Sequence, residues 1–265
     1  MTPISSKQLL FLKKQQQHRW FVRISRIAIF VLFLLLWEFT SYYGIIDSFV
    51  FSSPSQIILC FWNMVLDKSI FLHIGITLYE TLVSFLLVTV FSILIATFLW
   101  FSQKLMEITE PFLVVLNSLP KSALAPLLIV WLGANQTTII VAGMSVALFG
   151  SILNMTTCFR EVDSDKIKLI YTLRGKKYHA LTKVVIPSSI PAIISNMKVN
   201  IGLCLVGVII GEFLAARRGL GYLIIYSSQV FKLDWLLMSI CILCILAMGL
   251  YSLINLLEKK YQNRA

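Results

Sequence analysis

Five ionisable side chains lie within apolar stretches of this 265-residue sequence: Glu38, Glu80, Lys121, Lys198 and Glu212. A charge surrounded by lipid costs about 3 kcal/mol or more, so such residues usually face a bundle interior or a watery cavity. The chemistry open to them is to pair with a polar partner or to line a path for a charged solute. For Glu38 and Glu80, near the predicted outer halves of their helices, we expect a structural role.

The sequence shows no residue pattern typical of an enzyme. Catalysis within a membrane would need paired carboxylates, a set of metal-binding histidines or a nucleophile beside a base, and none is visible. The three histidines fall at or beyond the predicted membrane edges, and no H-E-x-x-H motif occurs. Cys241 and Cys244 have C-x-x-C spacing but lack a second ligand pair. We therefore expect no catalytic residue and no metal site.

The elements that position the five ionisable residues are apolar helices. Hydrophobic residues make up 58% of the chain and charged residues 13%, far from the average of water-soluble proteins. One helix needs about 20 apolar residues to cross a bilayer. Six stretches meet that length, at residues 26–44, 73–101, 110–132, 137–158, 188–214 and 235–257. The predicted fold is an all-α, polytopic membrane protein whose third span is bent at Pro120 and Pro126.

Lysine and arginine positions predict the orientation. Of the 23 such residues, 17 fall in the N-terminal arm, beside the second span, in the connection between the fourth and fifth spans, or in the C-terminal tail. Because cationic loops resist translocation, these segments are expected to be cytoplasmic. The predicted domains are a cytoplasmic arm (1–25), a transmembrane domain (26–257) and a cytoplasmic tail (258–265), in the plasma or inner membrane. The cations do not share one soluble face, so nucleic acid is not an expected partner, whereas lipid is.

Two shorter segments are expected on the outer side. Ser53 and Pro54 read as an N-cap followed by proline at the first helical position, which predicts a short interfacial helix. Residues 219–231 are apolar but too short and too rich in glycine to cross the bilayer. They are expected to fold back into the outer mouth, protected by the other helices.

The connection at residues 160–187 has a helical pattern of its own. Asp163 can open a helix, in which Ile167, Ile170 and Tyr171 share one face. A second apolar set leads towards Pro187. A pair of amphipathic helices across the cytoplasmic mouth would suit docking into a groove of a soluble partner. The alternative is a solvated loop that only joins two spans.

This connection resembles the cytoplasmic EAA loop of ABC-importer permeases, in which Glu-Ala-Ala and a later Gly precede an apolar-x-apolar-Pro end. Aligned on residues 184–187, the family's ATPase-coupling segment comprises Lys168, Leu169, Ile170, Tyr171, Thr172, Leu173, Arg174 and Gly175. The first three stand where the family has Glu-Ala-Ala. Arg174 stands at the family's Gly, and Gly175 follows one position later.

Other segments resemble the nitrate, sulfonate and taurine branch of these permeases over nearly the whole chain. In order, they are residues 36–38, 52–55, 119–133, 186–191 and 219–224, with Gly207 and Glu212. The resemblance implies a six-helix permease that pairs with a second permease, expected to be an identical copy. It also implies two cytoplasmic ATP-binding subunits, which would use ATP with Mg, and an external substrate-binding protein. This chain would bind no cofactor, and the favoured solute is a small organic anion such as a sulfonate, or a related small nutrient.

By the same resemblance, the translocation path runs along the third and fifth helices. The candidate lining residues are Asn117, Ser118, Pro120, Lys121, Asn196, Lys198 and Asn200. Lys121 could instead reach a lipid headgroup or an unpaired helix carbonyl. Asn196 and Asn200 could instead hydrogen-bond between spans of one subunit.

A structural or gating role is expected for Glu212, Gly219 and Gly221. Glu212 lies near the outer end of the fifth helix, where Arg217 or Arg218 could pair with it.

Two rival classes remain open from the sequence. An ion-coupled secondary transporter or a channel would also use broken helices and sparse buried charge, although no inverted repeat is obvious. It would move solute without an ATPase. A structural scaffold would tolerate leucine in place of Lys121 or Asn200.

Overall fold

The computed structural model describes residues 6–44 and 51–262, with side chains described for 14–44 and 51–260. Over these residues the chain is helical. The α-helices are α1 Ser6–Tyr42, α2 Pro54–Leu66, α3 Ser69–Phe101, α4 Gln103–Ser118, α5 Lys121–Leu132, α6 Gln136–Arg160, α7 Ser164–Thr172, α8 Lys177–Ala180, α9 Ile186–Ala215, α10 Leu220–Gln229 and α11 Leu233–Gln262. A π-helical turn, Leu181–Val185, joins α8 to α9.

The described residues contain five to six candidate membrane spans, in agreement with the about six predicted. Five single helices are long and apolar enough to cross a membrane, and the bent pair α4 and α5 makes a sixth if the two count as one span. These two helices meet at 95°. The break falls at Leu119 and Pro120, both in extended conformation, because proline disfavours helix in the residue before it. Pro126 lies inside α5 without interrupting it, so only one of the two prolines predicted to bend this span does so.

The centre of the bundle is formed by α3, α6 and α9, with α11 packed against them. Val88 of α3, Ala147 of α6 and Cys204 of α9 are fully buried in one cluster. A Cβ on Gly207 of α9 would lie 2.8 Å from the Cα of Gly143 on α6. These two helices therefore approach backbone to backbone, as small residues allow in membranes.

The helix α1 stands apart from this bundle. None of its described side chains, from Lys14 onwards, is buried. It is held at one end, where the backbone N–H and Oγ of Ser55 donate to the Glu38 carboxylate at 3.1 and 2.7 Å. Glu38 therefore has the structural role expected from the sequence.

The helix predicted after Ser53 is confirmed, and the segment expected to fold back, at residues 219–231, contains a helix as well. Ser53 caps α2 by accepting from Gln56 N–H, with Pro54 at the first position. In α10, Leu220 and Leu223 are buried against Ile70 of α3 and Met238 of α11. We call residues 219–231 the hairpin and this end of the bundle the hairpin end. The other end, which carries residues 160–187, is the connection end.

The fifth span begins earlier than predicted, because the apolar helical stretch runs from Lys177 to Ala215 instead of from residue 188. Pro187 has no N–H to donate to the preceding turn. The π turn at Leu181–Val185 is the kind of local adjustment that lets a helix pass through a proline. From Lys177 onwards the connection is therefore helical and continuous with α9.

Candidate functional site

The connection folds into a capped helix, α7. The Asp163 carboxylate accepts from the N–H of Asp165 at 2.9 Å, so the N-cap predicted from the sequence is confirmed. On the solvent side, Lys168 pairs with Asp165 at 2.8 Å. Both side chains are well exposed, so this ion pair adds little to stability.

The end of α7 contains the positions at which the sequence departs from the family's EAA motif. Arg174, at the family's glycine position, has φ of +59°, in the left-handed region that favours glycine. The N–H of Gly175 donates to Ile170 O at 2.8 Å, and a Cβ on Gly175 would lie 2.8 Å from that same oxygen. The chain therefore forms the left-handed turn with Arg174 in place of glycine. Gly175, one position later, is needed because its backbone lies close to the carbonyl oxygen of Ile170.

Large apolar side chains of the connection face solvent. Leu169 is 58% exposed and Leu173 71%, with Tyr171 and Tyr178 also largely exposed. We call these four residues the docking surface. Ile167 and Ile170 are half-buried, as their shared face predicts, whereas Tyr171 turns outwards instead of joining them.

The docking surface is firmly attached to the spans. The Lys177 ammonium donates to Phe101 O, at the end of α3, at 2.7 Å and lies over the Trp100 ring. Leu181 and Val185, in the π turn, are buried in one cluster with Met155 and Phe159 of α6. A displacement of α7 would therefore be transmitted to three spans.

Lys121 lies at the break between α4 and α5. Its ammonium donates to the carbonyl oxygens of Leu116 and Asn117, the latter at 3.1 Å, and lies 5.5 Å from the centre of the Phe149 ring. This matches the alternative reading from the sequence, a lysine that satisfies free helix carbonyls. Asn117, Ser118 and Pro120 are exposed beside it, so the group forms a polar patch on the subunit surface.

Asn196 and Asn200 point into the subunit. Both amide groups donate to Ser151 Oγ of α6, at 2.7 and 2.8 Å, and Asn200 is only 2% exposed. Asn196 and Asn200 thus form hydrogen bonds between spans of one subunit, which was the alternative to their lining the path.

Lys198 also bonds within the subunit, on another face of α9. Its ammonium donates to Asn255 Oδ1 at 3.0 Å and pairs with the Glu258 carboxylate, both on α11. Of the seven candidate path residues, the four at the α4–α5 break are thus grouped on the surface and the three on α9 join spans together.

Glu212 holds the hairpin, but with partners other than those expected. Its carboxylate accepts from Thr77 Oγ1 at 2.6 Å and from Gly221 N–H at 2.5 Å. Among the described side chains neither Arg217 nor Arg218 forms an ion pair with it, so that part of the prediction is wrong. The arginines follow the end of α9 and lie at the surface, whereas Glu212 faces α3.

The two hairpin glycines are explained by this carboxylate. Gly219 has φ of +117°, and a Cβ there would overlap the Glu212 carboxyl group. A Cβ on Gly221 would lie 2.8 Å from Glu212 Oε2. The backbone can approach the buried acid only without side chains at these two positions.

The bundle thus combines a bent third span, a small-residue contact between α6 and α9, and an amphipathic helix between the fourth and fifth spans. Residues 88–263 match the family described as "Binding-protein-dependent transport system inner membrane component". The chain belongs to this family. It is therefore a multi-pass membrane protein and a permease of an ABC importer for small solutes, and it is not itself an enzyme. The predicted family and fold are confirmed, and the secondary-transporter and scaffold alternatives are set aside.

The relatives of this chain are named after different solutes. The chain is 25% identical over 227 residues to the putative aliphatic sulfonates transport permease protein SsuC of Bacillus subtilis, covering 86% of this chain and 82% of that one. It is 24% identical over 233 residues to the riboflavin transport system permease protein RibX of Chloroflexus aurantiacus, covering 86% and 85%. The resemblance to permeases of the sulfonate type is thus confirmed.

A solved structure shares the fold. It is titled as inward-facing conformations of the MetNI methionine ABC transporter, with a TM-score of 0.66 at 14% identity. The match covers 74% of this chain and 97% of the other.

Sequence reasoning missed three contributors to these contacts. Ser151 accepts from two asparagines, Thr77 bridges Glu212 and the hairpin backbone, and Glu80 lies beside Glu212. The proximity of Glu80 to Glu212 was not visible in the sequence. One signal was available for the last two, because Thr77 and Glu80 are three residues apart and so share a face of an otherwise apolar helix.

Proposed function

We propose that two copies of this chain form the translocation path of an ATP-driven importer for small organic anions. An external binding protein delivers the solute at the hairpin end. Two ATPase subunits dock at the connection end, which faces the cytoplasm together with both termini. ATP and Mg are bound by those ATPases, and this chain supplies the path and the surface they move.

The observation that carries this proposal is the docking surface. Four large side chains stand exposed: Leu169 and Tyr171 on the short, capped helix α7, Leu173 at its C-cap, and Tyr178 in α8. They are flanked by exposed cations such as Lys168 and Arg174. A loop that only joined two spans would have no reason to keep leucines in water, whereas an amphipathic helix entering a partner's groove needs them. The family to which the chain belongs supports an ATPase as that partner.

The attachment of this surface supports the coupling step. ATPase closure would push on α7. Through Lys177 that push reaches the end of α3, and through Leu181 and Val185 it reaches α6 and α9. Tight packing makes such elements move as units between discrete arrangements, which is how alternating access proceeds.

The path itself is assigned to the break between α4 and α5. Asn117 and Ser118 are exposed there beside the half-buried Lys121, and Val130 and Trp131 are exposed at the far end of α5. An exposed polar patch beside exposed apolar side chains fits an interface with a second copy, with the patch lining the path. Asn196, Lys198 and Asn200 contribute by fixing the positions of α6, α9 and α11.

The preference for an organic anion rests on Lys121 at the break and on the sulfonate permease among the relatives. The riboflavin permease among them makes a direct comparison informative. Uptake of an alkanesulfonate and of riboflavin should be measured in cells with and without this chain together with its own binding protein and ATPase. Sulfonate uptake that requires the chain supports the proposal, and riboflavin uptake in its place refutes the solute class.

Docking is tested by photo-cross-linking in the assembled importer. A photoreactive phenylalanine analogue replaces Leu173 in one sample and Phe33, on α1, in the other. Both side chains are exposed, at 71% and 58%. A cross-link to the ATPase from position 173 and none from position 33 supports docking. Equal labelling from both positions, or none from position 173, contradicts it.

A further inference from the structure

Two carboxyl groups are buried against each other at the hairpin end. Glu80 of α3 is 1% exposed and Glu212 of α9 is 0% exposed, and Glu80 lies one helical turn from Thr77, whose Oγ1 donates to Glu212 at 2.6 Å. Two ionised carboxylates can only accept hydrogen bonds, so nothing would hold them together. Like charges this close in a poorly solvated site cannot both persist.

The contacts distinguish the two acids. Glu212 is surrounded by donors, namely Thr77 Oγ1 and the N–H of Gly221, as an ionised carboxylate requires. Glu80 Oε2 has no hydrogen-bond partner among the described residues. A proton on the Glu80 carboxyl group would let it donate to Glu212, leaving one negative charge for the pair.

In this arrangement no surrounding charged group pairs with either acid. From α3, His73 lies against the backbone of Gly219, where the N–H of that glycine donates to its Nδ1 at 3.1 Å. From α10, Tyr222 stacks on the same histidine. The start of α6 contributes only neutral amides, Asn135 and Gln136. Within the described side chains no cation forms an ion pair with either acid.

Glu80 has a route to solvent. It lines a cavity of about 260 Å³ at the hairpin end, whose rim includes Asn135, Gln136, Arg217 and Arg218. Both arginines are exposed. A proton can leave Glu80 through this cavity, and an ionised Glu80 could turn towards the arginines.

We propose that Glu80 and Glu212 form a proton-binding site in which one shared proton, exchanged through this cavity, holds the hairpin against α3 and α9. Thr77 is part of the same arrangement, because its Oγ1 donates to Glu212 and accepts from the N–H of Leu220 at 2.8 Å. Loss of the proton leaves two adjacent negative charges, draws Glu80 towards Arg217 and Arg218, and loosens the hairpin.

The direction of the pH dependence follows from linkage. The proton is bound when the hairpin is closed and released when it opens, so closure is favoured at lower pH and is lost as pH rises through the titration of the pair. One proton per opening event changes the opening equilibrium by at most about tenfold per pH unit.

The test uses the full chain purified in lipid nanodiscs and needs neither the ATPase nor transport, so its outcome is independent of the proposed function. Infrared spectroscopy detects the carbonyl stretch of a protonated carboxylic acid. Hydrogen exchange of residues 219–231, corrected for the intrinsic rate at each pH, reports hairpin opening. Glu80→Gln keeps a donor facing Glu212 without a titrating proton. Glu107→Gln, at the connection end, is the matched control.

The wild type and Glu107→Gln should show the protonated-acid band near neutral pH, and Glu80→Gln should lack it. As pH rises through the titration of the pair, hairpin protection should fall by up to tenfold per pH unit in the first two proteins and stay constant in Glu80→Gln. A band unchanged by Glu80→Gln, or protection that does not vary with pH in the wild type, overturns the proposal. Protection that follows sodium concentration instead of pH would assign the site to a metal cation and overturns it as well.

Discussion

Replacing Ser151 by alanine tests how α6 and α9 are held together. Ser151 Oγ accepts two hydrogen bonds, from Asn196 and Asn200, at a site that is 1% exposed. Alanine would leave two buried amide donors without this acceptor, and water cannot readily replace it. Each orphaned donor costs about 1–3 kcal/mol in a protein core. Hydrogen bonds between membrane helices average about 0.6 kcal/mol when measured, so the total expected loss is about 1–3 kcal/mol.

The assay is a reversible unfolding titration in mixed detergent micelles, followed by circular dichroism. Ser145→Ala is the matched control, because Ser145 lies on the same helix and bonds only to its own backbone, at Ala142 O. It should change the free energy of unfolding by less than about 0.5 kcal/mol, as substitutions outside such networks do.

A double variant separates an orphaned donor from a simple loss of packing. Asn200→Leu in the Ser151→Ala background removes one of the two donors, so the double variant should recover part of the loss. The reasoning is refuted if Ser151→Ala costs no more than Ser145→Ala, or if the two substitutions in the double variant add without any recovery.

Three further substitutions or reactions follow from the contacts described above. Arg174→Gly should stabilise the end of α7 by about 1 kcal/mol, because it removes an L side chain from the left-handed region; slower hydrogen exchange of residues 169–175 would show it, and faster exchange would contradict it. Gly219→Ala should open the hairpin, because the alanine Cβ would overlap the Glu212 carboxyl group. Limited proteolysis in the segment that begins at residue 217 should then be faster than in the wild type. The pKa of the Cys60 thiol is raised to about 11, mainly by burial and secondly by the Asp234 carboxylate. The rate of alkylation of this thiol should therefore be low at pH 8 and increase about tenfold per pH unit towards pH 11. A reaction rate at Cys60 that levels off near pH 9 would contradict that prediction.

Hydropathy and local caps were sufficient to predict most of the fold. The spans could be placed because lipid forces long apolar stretches into helices, whatever their neighbours are. Ser53 and Asp163 cap their helices through bonds to residues two or three positions away, which sequence spacing determines. The break at Pro120 is likewise local, because the proline itself restricts the residue before it.

The contacts of the polar residues were harder to predict, since they depend on which helices pack together. Glu212 bonds to Thr77, 135 positions away, and not to the nearby arginines. Lys198 was expected on the path, yet it reaches Glu258 of α11, and no helix periodicity reveals that partner. Lys121 could bond to carbonyls behind it only because the chain turns by 95° at Pro120, an angle that the sequence does not specify.

Coupling between ATP hydrolysis and transport is tested most directly in proteoliposomes. They would contain this chain with its own ATPase, and its binding protein and an alkanesulfonate would be added. The wild type is compared with the double variant Leu169→Glu/Leu173→Glu, which places charge on the docking surface. Ser164→Glu is the control, because it adds a charge at the first turn of α7, where the helix N-terminus favours it.

The wild type and Ser164→Glu should both take up the alkanesulfonate when ATP is supplied, and the added binding protein and alkanesulfonate should stimulate their ATP hydrolysis. Uptake and stimulation should both be lost in Leu169→Glu/Leu173→Glu, while that variant still inserts and unfolds like the wild type. Undiminished ATP-driven uptake by the double variant would contradict the claim that α7 is where the ATPase moves this permease.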